Sequence, residues 1–460
     1  MIIMNLDKFF SAKSIAIVGV SLDQTKVGHI IFRNFIDSKY GGRIYIVNPH
    51  CDKILGHKCY KSVLDIEESV ELAVIAVPAE ASLRVVDECG KKGIRDIVMI
   101  TAGFREVGNY GLDVKLERLL KKHRIRCVGP NCLGCFDAHT GLDTLFLPRS
   151  RLQRPGKGGI SFICQSGAVG SATMDLAAKE GYGFSKFVSY GNAMNVDEAD
   201  ILEYMGNDQS TRVICMYIEG IRDGKKFMKA AIRVGQKKPV IVIKGGVTSE
   251  GGRAILSHTG SLAGSAEVYF GAFRQCGILT AESLQELFNY ARIFDKSICA
   301  CGPRIQVITN GGGYGILSTD AIMKSGLEMA EPSAQTIKEL RRRYPRLTTS
   351  NPIDLLGDAS TQMYRDAIEL CLNDRKVDAL IIIALYQTPR LGTDVVDAIV
   401  EMNRQNRKPI ITVSTGGEFT QNLRMQMEKN GIPSYTYPHE AVSAMKVLVE
   451  YCRGRGICRR

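Results

Sequence analysis

One histidine lies in a stretch made almost entirely of small residues. His258 stands in "GGVTSEGGRAILSHTGSLAGS", residues 245–265, and the chain has only seven histidines. A neutral imidazole is a good nucleophile near pH 7, and small residues let a loop move and let other groups approach its backbone. The stretch is therefore typical either of a solvated surface loop or of a mobile loop that carries a nucleophile.

Two other stretches have the sequence of an anion site. "GISFIC" continues into "QSGAVGSATMDLAAK" from residue 165, and "RIQVIT" continues into "NGGGYGILSTDAIMK" from residue 310. Each pattern predicts a buried strand, a small-residue turn and a helix, so free backbone N–H groups and the positive helix end would meet at one spot. Glycine in such a turn also serves close packing alone. Two such turns together with the histidine favour a protein that handles phosphate.

Short β-branched runs alternate with amphipathic stretches along the chain, which predicts parallel sheets flanked by helices. We expect an α/β protein with three doubly wound domains, at residues 1–130, 131–295 and 303–460. The predicted strands of the first domain are "SIAIVG", "RIYIVN", "LAVIAVP", "DIVMIT" and "IRCVG". Those of the second are "GISFIC", "SKFVSY", "RVICMYI" and "PVIVIK", and those of the third are "RIQVIT", "DALIIIAL" and "KPIITVS".

Composition excludes several classes of protein. No apolar run approaches the roughly 18–20 residues that cross a bilayer, and the N-terminus lacks the pattern of a signal peptide, so we expect a cytoplasmic protein. The 14 cysteines are scattered, which predicts reduced thiols, and they lack zinc-finger spacing, so no metal site is expected. The net charge of +12 favours anionic ligands or an acidic partner. The basic clusters are short and lack interleaved aromatics, which argues against nucleic acid.

The first domain has a Rossmann-like pattern without the marks of a dinucleotide site. Its first turn has Gly19 and Gly28 but not the G-x-G-x-x-G spacing. The second strand ends in Asn48 and Pro49 rather than in the acidic residue that binds a ribose hydroxyl. A dehydrogenase is therefore disfavoured.

A series of motifs in fixed order runs through all three domains: "VGVS", "VNP", "AVP", "ITAGF", "GPNCLG", "QSGA", "IEG", "SHTGSLAG", "TNGGGYG" and "NPIDLLG". From about residue 11 to about residue 450 the chain resembles the α subunit of the ADP-forming acyl-CoA synthetases (acetate–CoA ligase, ADP-forming), in the superfamily of succinyl-CoA synthetases. The resemblance implies a Rossmann-like CoA-binding domain followed by two flavodoxin-like, succinyl-CoA synthetase-like domains.

The resemblance also implies which residues bind CoA. They follow the carboxyl ends of the first domain's strands, where open α/β sheets bind ligands. The turn that would hold the CoA phosphates contains Gly19, Val20, Ser21 and Lys26. The remaining CoA-binding residues would be Asn48, Pro49, Val77, Pro78, Thr101, Ala102 and Gly103.

In this family a histidine is phosphorylated during turnover, and His258 stands in its place. Glu219, in "YIEG", matches the glutamate that holds the second nitrogen of that histidine, although an ordinary strand-end carboxylate stays an alternative. The family binds the phosphohistidine between two helix N-termini. Here these begin at Ser166, Gly167 and Ala168 and at Gly312, Gly313 and Tyr314. Asn131, Gly191 and Asn192 would lie near the acyl group.

The implied reaction converts acyl-CoA, ADP and phosphate into a carboxylic acid, CoA and ATP through an acyl phosphate and a phosphohistidine. Acetyl-CoA is the expected acyl donor, while branched-chain and aryl acids stay open. We find no ATP-grasp module in the sequence. A partner β subunit is therefore expected to bind ADP or ATP and Mg²⁺, in an α₂β₂ heterotetramer. The alternative is a CoA-binding regulatory protein without ligase activity, and the intact "SHTGSLAG" argues against it.

Overall fold

The computed structural model describes residues 4–259 and 264–457, and the side chains of residues 255–259 lie outside that description. The chain divides into two compact units, Met1–Leu287 and Phe288–Arg460. Two sheets belong to the first unit and one to the second.

The first sheet has the strand order β3-β4-β2-β1-β5-β6-β7, and all its pairs are parallel except β3 with β4. Its strands are β1 Ser14–Val18, β2 Arg43–Val47, β3 Lys53–Ile54, β4 His57–Tyr60, β5 Leu72–Ile75, β6 Asp96–Met99 and β7 Arg126–Val128. The helices are α1 Lys8–Ser11, α2 Val27–Asp37, α3 Ala79–Lys92 and α4 Tyr110–His123, with 3₁₀ turns at Val63–Asp65 and Arg105–Val107. The strand order changes direction at β1, so the crevice between the ends of β1 and β5 is a topological switch point, where such sheets bind ligands.

The second sheet has the order β13-β12-β11-β9-β10-β8, in which only β8 is antiparallel to its neighbour. Its strands are β8 Gly134–Asp137, β9 Lys157–Cys164, β10 Phe184–Ser189, β11 Val213–Ile218, β12 Val240–Lys244 and β13 Leu279–Thr280. The helices are α5 Gly167–Glu180, α6 Glu198–Asn207, α7 Gly224–Gly235, α8 Ser249–Thr259 and α9 Ala266–Gln275. Without β8 this is the flavodoxin order, whose switch point lies between β9 and β11.

The third sheet, in the second unit, has the order β15-β14-β17-β18-β19, and β16 pairs with β14 beside this path. Its strands are β14 Arg304–Thr309, β15 Glu328–Met329, β16 Ile353–Asp354, β17 Ala379–Ile383, β18 Ile410–Val413 and β19 Ser434–Tyr435. The helices are α10 Leu284–Lys296, which begins in the first unit, α11 Gly312–Ser325, α12 Ala334–Arg343, α13 Thr361–Asn373, α14 Val395–Asn403, α15 Glu418–Lys429 and α16 Pro438–Gly454. The order is again that of flavodoxin.

The predicted fold is confirmed: a Rossmann-like domain precedes two flavodoxin-like domains. Every residue of β1 is buried, as are all those of β5 and β17, because helices cover both faces of each sheet. Strands buried on both faces read as continuous apolar runs rather than as alternating ones. Such runs are what located the strands in the sequence. The antiparallel strands β3 and β8, each at the edge of its sheet, depart from the parallel sheets that we expected.

The stretch around His258 is not the irregular loop that its composition predicts. Helix α8 covers Ser249–Thr259. The Thr248 hydroxyl accepts a hydrogen bond from the N–H of Gly251 at 3.0 Å, and Glu250 adds an acidic side chain in the first turn. These are helix-start signals that outweigh the glycines which follow.

The expectation of wholly reduced thiols is wrong, because Cys299, Cys301 and Cys452 are disulfide-bonded among the described residues. Cys299 and Cys452 form a disulfide with their Cα atoms 5.9 Å apart, although 153 residues separate them in the sequence. Helix α16 brings Cys452 to the segment that precedes β14, a proximity that spacing along the chain could not reveal. Among the described residues, no helix is long and apolar enough to cross a membrane.

Candidate active site

A cavity of about 950 Å³ opens in the first unit, where the carboxyl ends of the first two sheets meet. It therefore collects residues from the switch points of both sheets, as ligand sites in α/β proteins do. Its lining residues are Val27, Ala76, Val77, Ile100, Thr101, Ala102, Arg105, Asn131, Cys132, Leu133, Phe146, Leu147, Gln165, Ser166, Gly167, Ala168, Ser171, Gly191, Asn192, Ala193, Glu198, Glu219, Gly220, Ile221 and Arg222.

The N-terminus of α5 faces this cavity. Ser166 is the N-cap residue, and its hydroxyl accepts a hydrogen bond from the N–H of Val169 at 3.3 Å. The N–H groups of Gly167 and Ala168 precede the first helical hydrogen bond, so they are donors at the positive end of the helix dipole. These donors are therefore available to an anion in the cavity.

The glycines of this turn serve two different purposes. A Cβ on Gly170 would stand 2.6 Å from the ring of Phe187, so Gly170 is required by packing. A Cβ on Gly167 would stand 3.5 Å from the Cβ of Leu133, which is an ordinary contact. Packing therefore does not demand a glycine at position 167, and an open approach to the helix backbone explains it better.

Glu219 follows β11 and is 6% exposed. Its backbone is fixed on both sides: its N–H donates to Oε1 of Gln165 at 2.7 Å, and its carbonyl accepts from Nζ of Lys244 at 2.8 Å. Burial and the Glu219 charge raise the pKa of Tyr217 to about 12, and the Tyr217 hydroxyl is hydrogen-bonded to the Glu219 side chain. Burial lowers the pKa of Lys244, which the Glu219 charge opposes. Glu219 is thus a buried carboxylate held at the cavity wall.

A second buried carboxyl, Glu198, was missed by the sequence analysis. It is the first residue of α6, is 2% exposed and lines the same cavity. Burial raises its pKa from 4.5 to about 7, although its own N–H and that of Arg222 bind the ionised form. In the sequence it is one acidic residue among several in "NVDEADILEY", and only the fold shows that it is buried in the wall.

The predicted acyl-site residues lie together on one side of the cavity. Nδ2 of Asn131 is 3.4 Å from Oδ1 of Asn192, and Nδ2 of Asn192 donates to Glu106 at 2.6 Å. Two arginines that sequence reasoning missed hold the same loop: Arg105 donates to the carbonyl of Asn192, and Arg222 donates to the carbonyl of Ala193 at 2.6 Å. The loop is therefore fixed from both domains of the first unit.

The predicted CoA-binding residues divide into two groups. Val77, Thr101 and Ala102 line the cavity, and the Thr101 hydroxyl donates to the carbonyl of Val77 at 2.8 Å. The others lie along the same edge of the first sheet without lining the cavity: Gly19, Val20, Ser21, Lys26, Asn48, Pro49, Pro78 and Gly103.

In the turn after β1, the backbone nevertheless lies very close to the backbone of the segment that follows β5. Gly19 has φ of +99°, and a Cβ there would stand 2.3 Å from the carbonyl oxygen of Ala76. Nδ2 of Asn48 donates to the carbonyl of Val20 at 2.7 Å and so ties the end of β2 to this turn. Their role in binding CoA stays a prediction.

In the second unit, α11 begins after Gly311, and no side chain caps it. Gly312 and Gly313 are exposed, and a Cβ on Gly313 would meet nothing within 4 Å. A smaller cavity of about 310 Å³ includes Gly312 and Asp354, and a Cβ on Gly312 would stand 3.2 Å from the Asp354 carboxylate. The N–H of Tyr314 donates to the carbonyl of Gly311 at 3.0 Å, so Gly313 is the freer donor for an anion at this helix end. The side chain of His258 lies outside the described residues.

Comparisons with known proteins agree with this architecture. Residues 13–137 match the model of a CoA binding domain, 157–294 that of a succinyl-CoA ligase like flavodoxin domain, and 305–457 that of a Ligase-CoA domain. The fold and these matches thus define an α/β protein of the succinyl-CoA ligase kind, with a CoA binding domain.

Comparison with individual proteins identifies the family more closely. The chain is 38% identical to the Pyrococcus furiosus acetate–CoA ligase [ADP-forming] II subunit alpha, over 98% of this chain and 99% of that one. It is 40% identical to the Methanocaldococcus jannaschii acetate–CoA ligase [ADP-forming], over 95% of this chain but 62% of that longer protein. The structure of Ca. Korarchaeum cryptofilum dinucleotide forming acetyl-coenzyme A synthetase 1 with phosphate and ADP has a TM-score of 0.91 at 37% identity, covering 99% of this chain and 98% of that one. The chain belongs to the family of ADP-forming acetate–CoA ligases.

Proposed function

We propose that this chain is the α subunit of an ADP-forming acetyl-CoA synthetase. The observation that carries the proposal is the shared cavity: the free N–H groups at the start of α5, the buried carboxylate of Glu219 and strand-end residues of the CoA binding domain all line it. Such a cavity suits an acyl thioester and a phosphate at the same time. Membership of a ligase family supports the same reading.

In the proposed reaction, phosphate attacks the thioester carbonyl of acetyl-CoA near the α5 N-terminus. The carbon–sulfur bond breaks, the proton of the phosphate passes to the departing sulfur, and acetyl phosphate and CoA form. His258 then attacks the phosphorus, acetate leaves, and the phosphohistidine transfers its phosphoryl group to ADP. Gly167 and Ala168 are proposed to stabilise the phosphoryl charge, and Gly313, with Gly312 and Tyr314 beside it, is proposed to do so in the second unit.

Glu219 is proposed to accept a hydrogen bond from the second ring nitrogen of His258. A carboxylate in that position fixes the tautomer and stabilises the positive charge that the ring acquires on phosphorylation. The fixed backbone of Glu219 suits that task, because an orienting group has to be held still. Asn131, Gly191 and Asn192 are proposed to surround the acetyl group, and the predicted CoA-binding residues to hold CoA.

The nucleotide step is assigned to a partner. The names of the Pyrococcus relatives as α subunits support a separate second subunit. We propose that this is an ATP-grasp β subunit that binds ADP and Mg²⁺ and that two copies of each subunit form the enzyme. Cytoplasmic location remains our expectation from the sequence.

The experiment that tests the function uses the purified chain, acetyl-CoA and radiolabelled phosphate. The wild type should acquire acid-labile, base-stable label only when acetyl-CoA is present. His258→Ala should acquire none, whereas the matched control His439→Ala, at an exposed histidine of the second unit, should label like the wild type. Equal labelling of His258→Ala and wild type would refute the assignment. Absence of label with the β subunit also present would favour the CoA-binding regulatory protein.

A further inference from the structure

The segment that carries Glu219 is held in an unusual way. Four consecutive backbone N–H groups, those of residues 219–222, each donate to a side chain rather than to another backbone carbonyl. Oε1 of Gln165 accepts from Glu219 at 2.7 Å and from Gly220 at 3.1 Å. The hydroxyl of Tyr269 accepts from Ile221 at 3.0 Å, and the carboxyl of Glu198 accepts from Arg222. These hydrogen bonds are partly buried, and side chains rather than a regular element supply the acceptors that the backbone needs.

Gln165 takes two of these four N–H groups because of where it stands in the sheet. Strands β9 and β11 are parallel and in register up to Cys164 and Tyr217, and the N–H of Gln165 still donates to the carbonyl of Tyr217 at 3.1 Å. Beyond that point the backbone of β9 turns into α5. The Gln165 side chain then takes the place of the β9 backbone. Its oxygen accepts hydrogen bonds from Glu219 and Gly220, the two residues that directly follow β11.

The orientation of this carboxamide follows from chemistry. Both of its partners are backbone N–H groups, which can only donate, so the atom that faces them must be the carbonyl oxygen. Gln165 also precedes Ser166, the N-cap of α5, and both residues line the cavity. One side chain therefore links the anion-binding helix end to the position of Glu219.

We propose that Gln165 is a positioning residue that fixes Glu219 relative to the N-terminus of α5 for the reaction. The proposal deepens the proposed function and rests on it. If it is correct, loss of the Gln165 acceptor lets the segment 219–222 open, and phosphorylation slows because Glu219 is no longer held against the histidine that it orients.

The first test measures hydrogen exchange of the peptide that contains residues 219–222, in the full-length chain. Gln165→Met keeps the length and removes the carboxamide, and exchange at Glu219 and Gly220 should become faster by roughly tenfold or more. Gln165→Glu retains an acceptor oxygen, so these two amides should stay protected. Gln165→Asn keeps the carboxamide but is one methylene shorter, so it should behave like Gln165→Met and replaces that variant if it fails to fold.

Unchanged exchange in both Gln165→Met and Gln165→Asn would overturn the proposal whether or not the chain is an enzyme. This readout is therefore independent of the proposed function. If the wild type acquires no phosphoryl label, the proposed function is contradicted. The hydrogen-exchange result still decides whether Gln165 holds the segment 219–222.

The second test asks whether Gln165 acts through Glu219, by a double-mutant cycle on the rate of acetyl-CoA-dependent labelling. Gln165→Met and Glu219→Gln should each lower the rate by roughly tenfold or more, and the double variant should be no slower than Glu219→Gln. Rates that fall by the product of the two single effects would show that Gln165 acts on its own and would overturn the positioning role.

Discussion

The carbonyl oxygen of Asn131 stands where a side chain on Gly191 would have to go: a Cβ on Gly191 would lie 2.2 Å from that oxygen. Gly191 also has φ of +54°, in the left-handed region that side chains disfavour. The contact joins the turn after β7 to the turn after β10, the two segments that carry the predicted acyl-site residues. The close approach of these two turns therefore requires glycine at position 191, where any side chain would collide with the Asn131 carbonyl.

Replacing Gly191 by alanine should consequently destabilise the first unit. Strain at positive φ and displacement of a backbone carbonyl together should cost about 2–4 kcal/mol in the free energy of unfolding. Urea unfolding followed by circular dichroism measures it. Gly224→Ala is the matched control, since a Cβ there meets nothing within 4 Å, and it should change stability by less than about 1 kcal/mol. Equal effects of the two substitutions would contradict the geometry.

The two glycines at the start of α5 should respond differently to alanine. Gly170→Ala forces a Cβ to 2.6 Å from the Phe187 ring and should lower stability by about 1–3 kcal/mol. Gly167→Ala should leave stability nearly unchanged but raise the KM for phosphate by roughly tenfold, because the added methyl group hinders approach to the helix N–H groups. Thermal unfolding and initial rates measured side by side separate the two effects. A normal KM in Gly167→Ala would exclude the helix end as the phosphate site.

Glu198 should make the stability of the chain depend on pH. Burial raises its folded pKa to about 7 from 4.5, so between these values the folded chain binds a proton that the unfolded chain releases. The contribution of Glu198 to the free energy of unfolding is therefore greatest below pH 4.5. It falls as the pH rises through about 7, by about 3 kcal/mol in total. Glu198→Gln cannot ionise, so between pH 5 and pH 8 it should gain most of that amount, about 2.5 kcal/mol, relative to the wild type.

Urea unfolding of both proteins at the two pH values measures this difference. Glu80→Gln, at an exposed position of α3, is the control for exchanging a carboxyl for an amide. A wild type and a Glu198→Gln variant that respond to pH in parallel would show that the Glu198 carboxyl does not titrate in this range.

In the second unit, a buried cluster of one carboxylate and two cations should contribute strongly to the packing of α10 against the third sheet. Glu428 accepts from Arg292 at 3.2 Å and from the N–H of Ser434 at 2.7 Å, and it also binds Lys296; all three side chains of this cluster are less than a tenth exposed. Glu428→Gln leaves two cations without their anion and should cost about 3–5 kcal/mol. Glu401→Gln, which breaks the exposed pair with Arg365, should cost less than about 1 kcal/mol. Comparable losses would contradict the burial argument.

The longer strands could be located from the sequence because each is an apolar run that is largely buried on both faces. The short strands β3, β4, β13, β15, β16 and β19 were not predicted, since two to four residues carry no such run. The order of the strands could not be predicted, since nothing local in "GISFIC" or "RVICMYI" shows that β9 and β11 are neighbours across a switch point. The antiparallel β8 was missed because "GCFD" is four residues long. Helix α8 was missed because small residues dominate the stretch and disfavour a helix. The opposing signal, the capping hydroxyl of Thr248, comes from one residue only.

The candidate site was predicted only where a motif marks it. Gln165 was not among the predicted residues, although it stands inside "QSGA" directly after a strand, where it could face the end of the neighbouring strand. Glu198, Arg105 and Arg222 carry no such signal. They meet at the cavity because three separate turns end at the same edge of the sheets, and long-range proximity of this kind is a property of the fold.

The most direct test of the account is to locate the phosphoryl group on the chain. Wild-type protein incubated with acetyl-CoA and phosphate, then digested and examined by mass spectrometry at neutral to basic pH, should carry the modification on the peptide that contains His258. Glu219→Gln should carry much less. A phosphoryl group on any other residue, or the same yield without acetyl-CoA, would contradict the proposal that this histidine receives phosphate from an acyl phosphate made in the cavity.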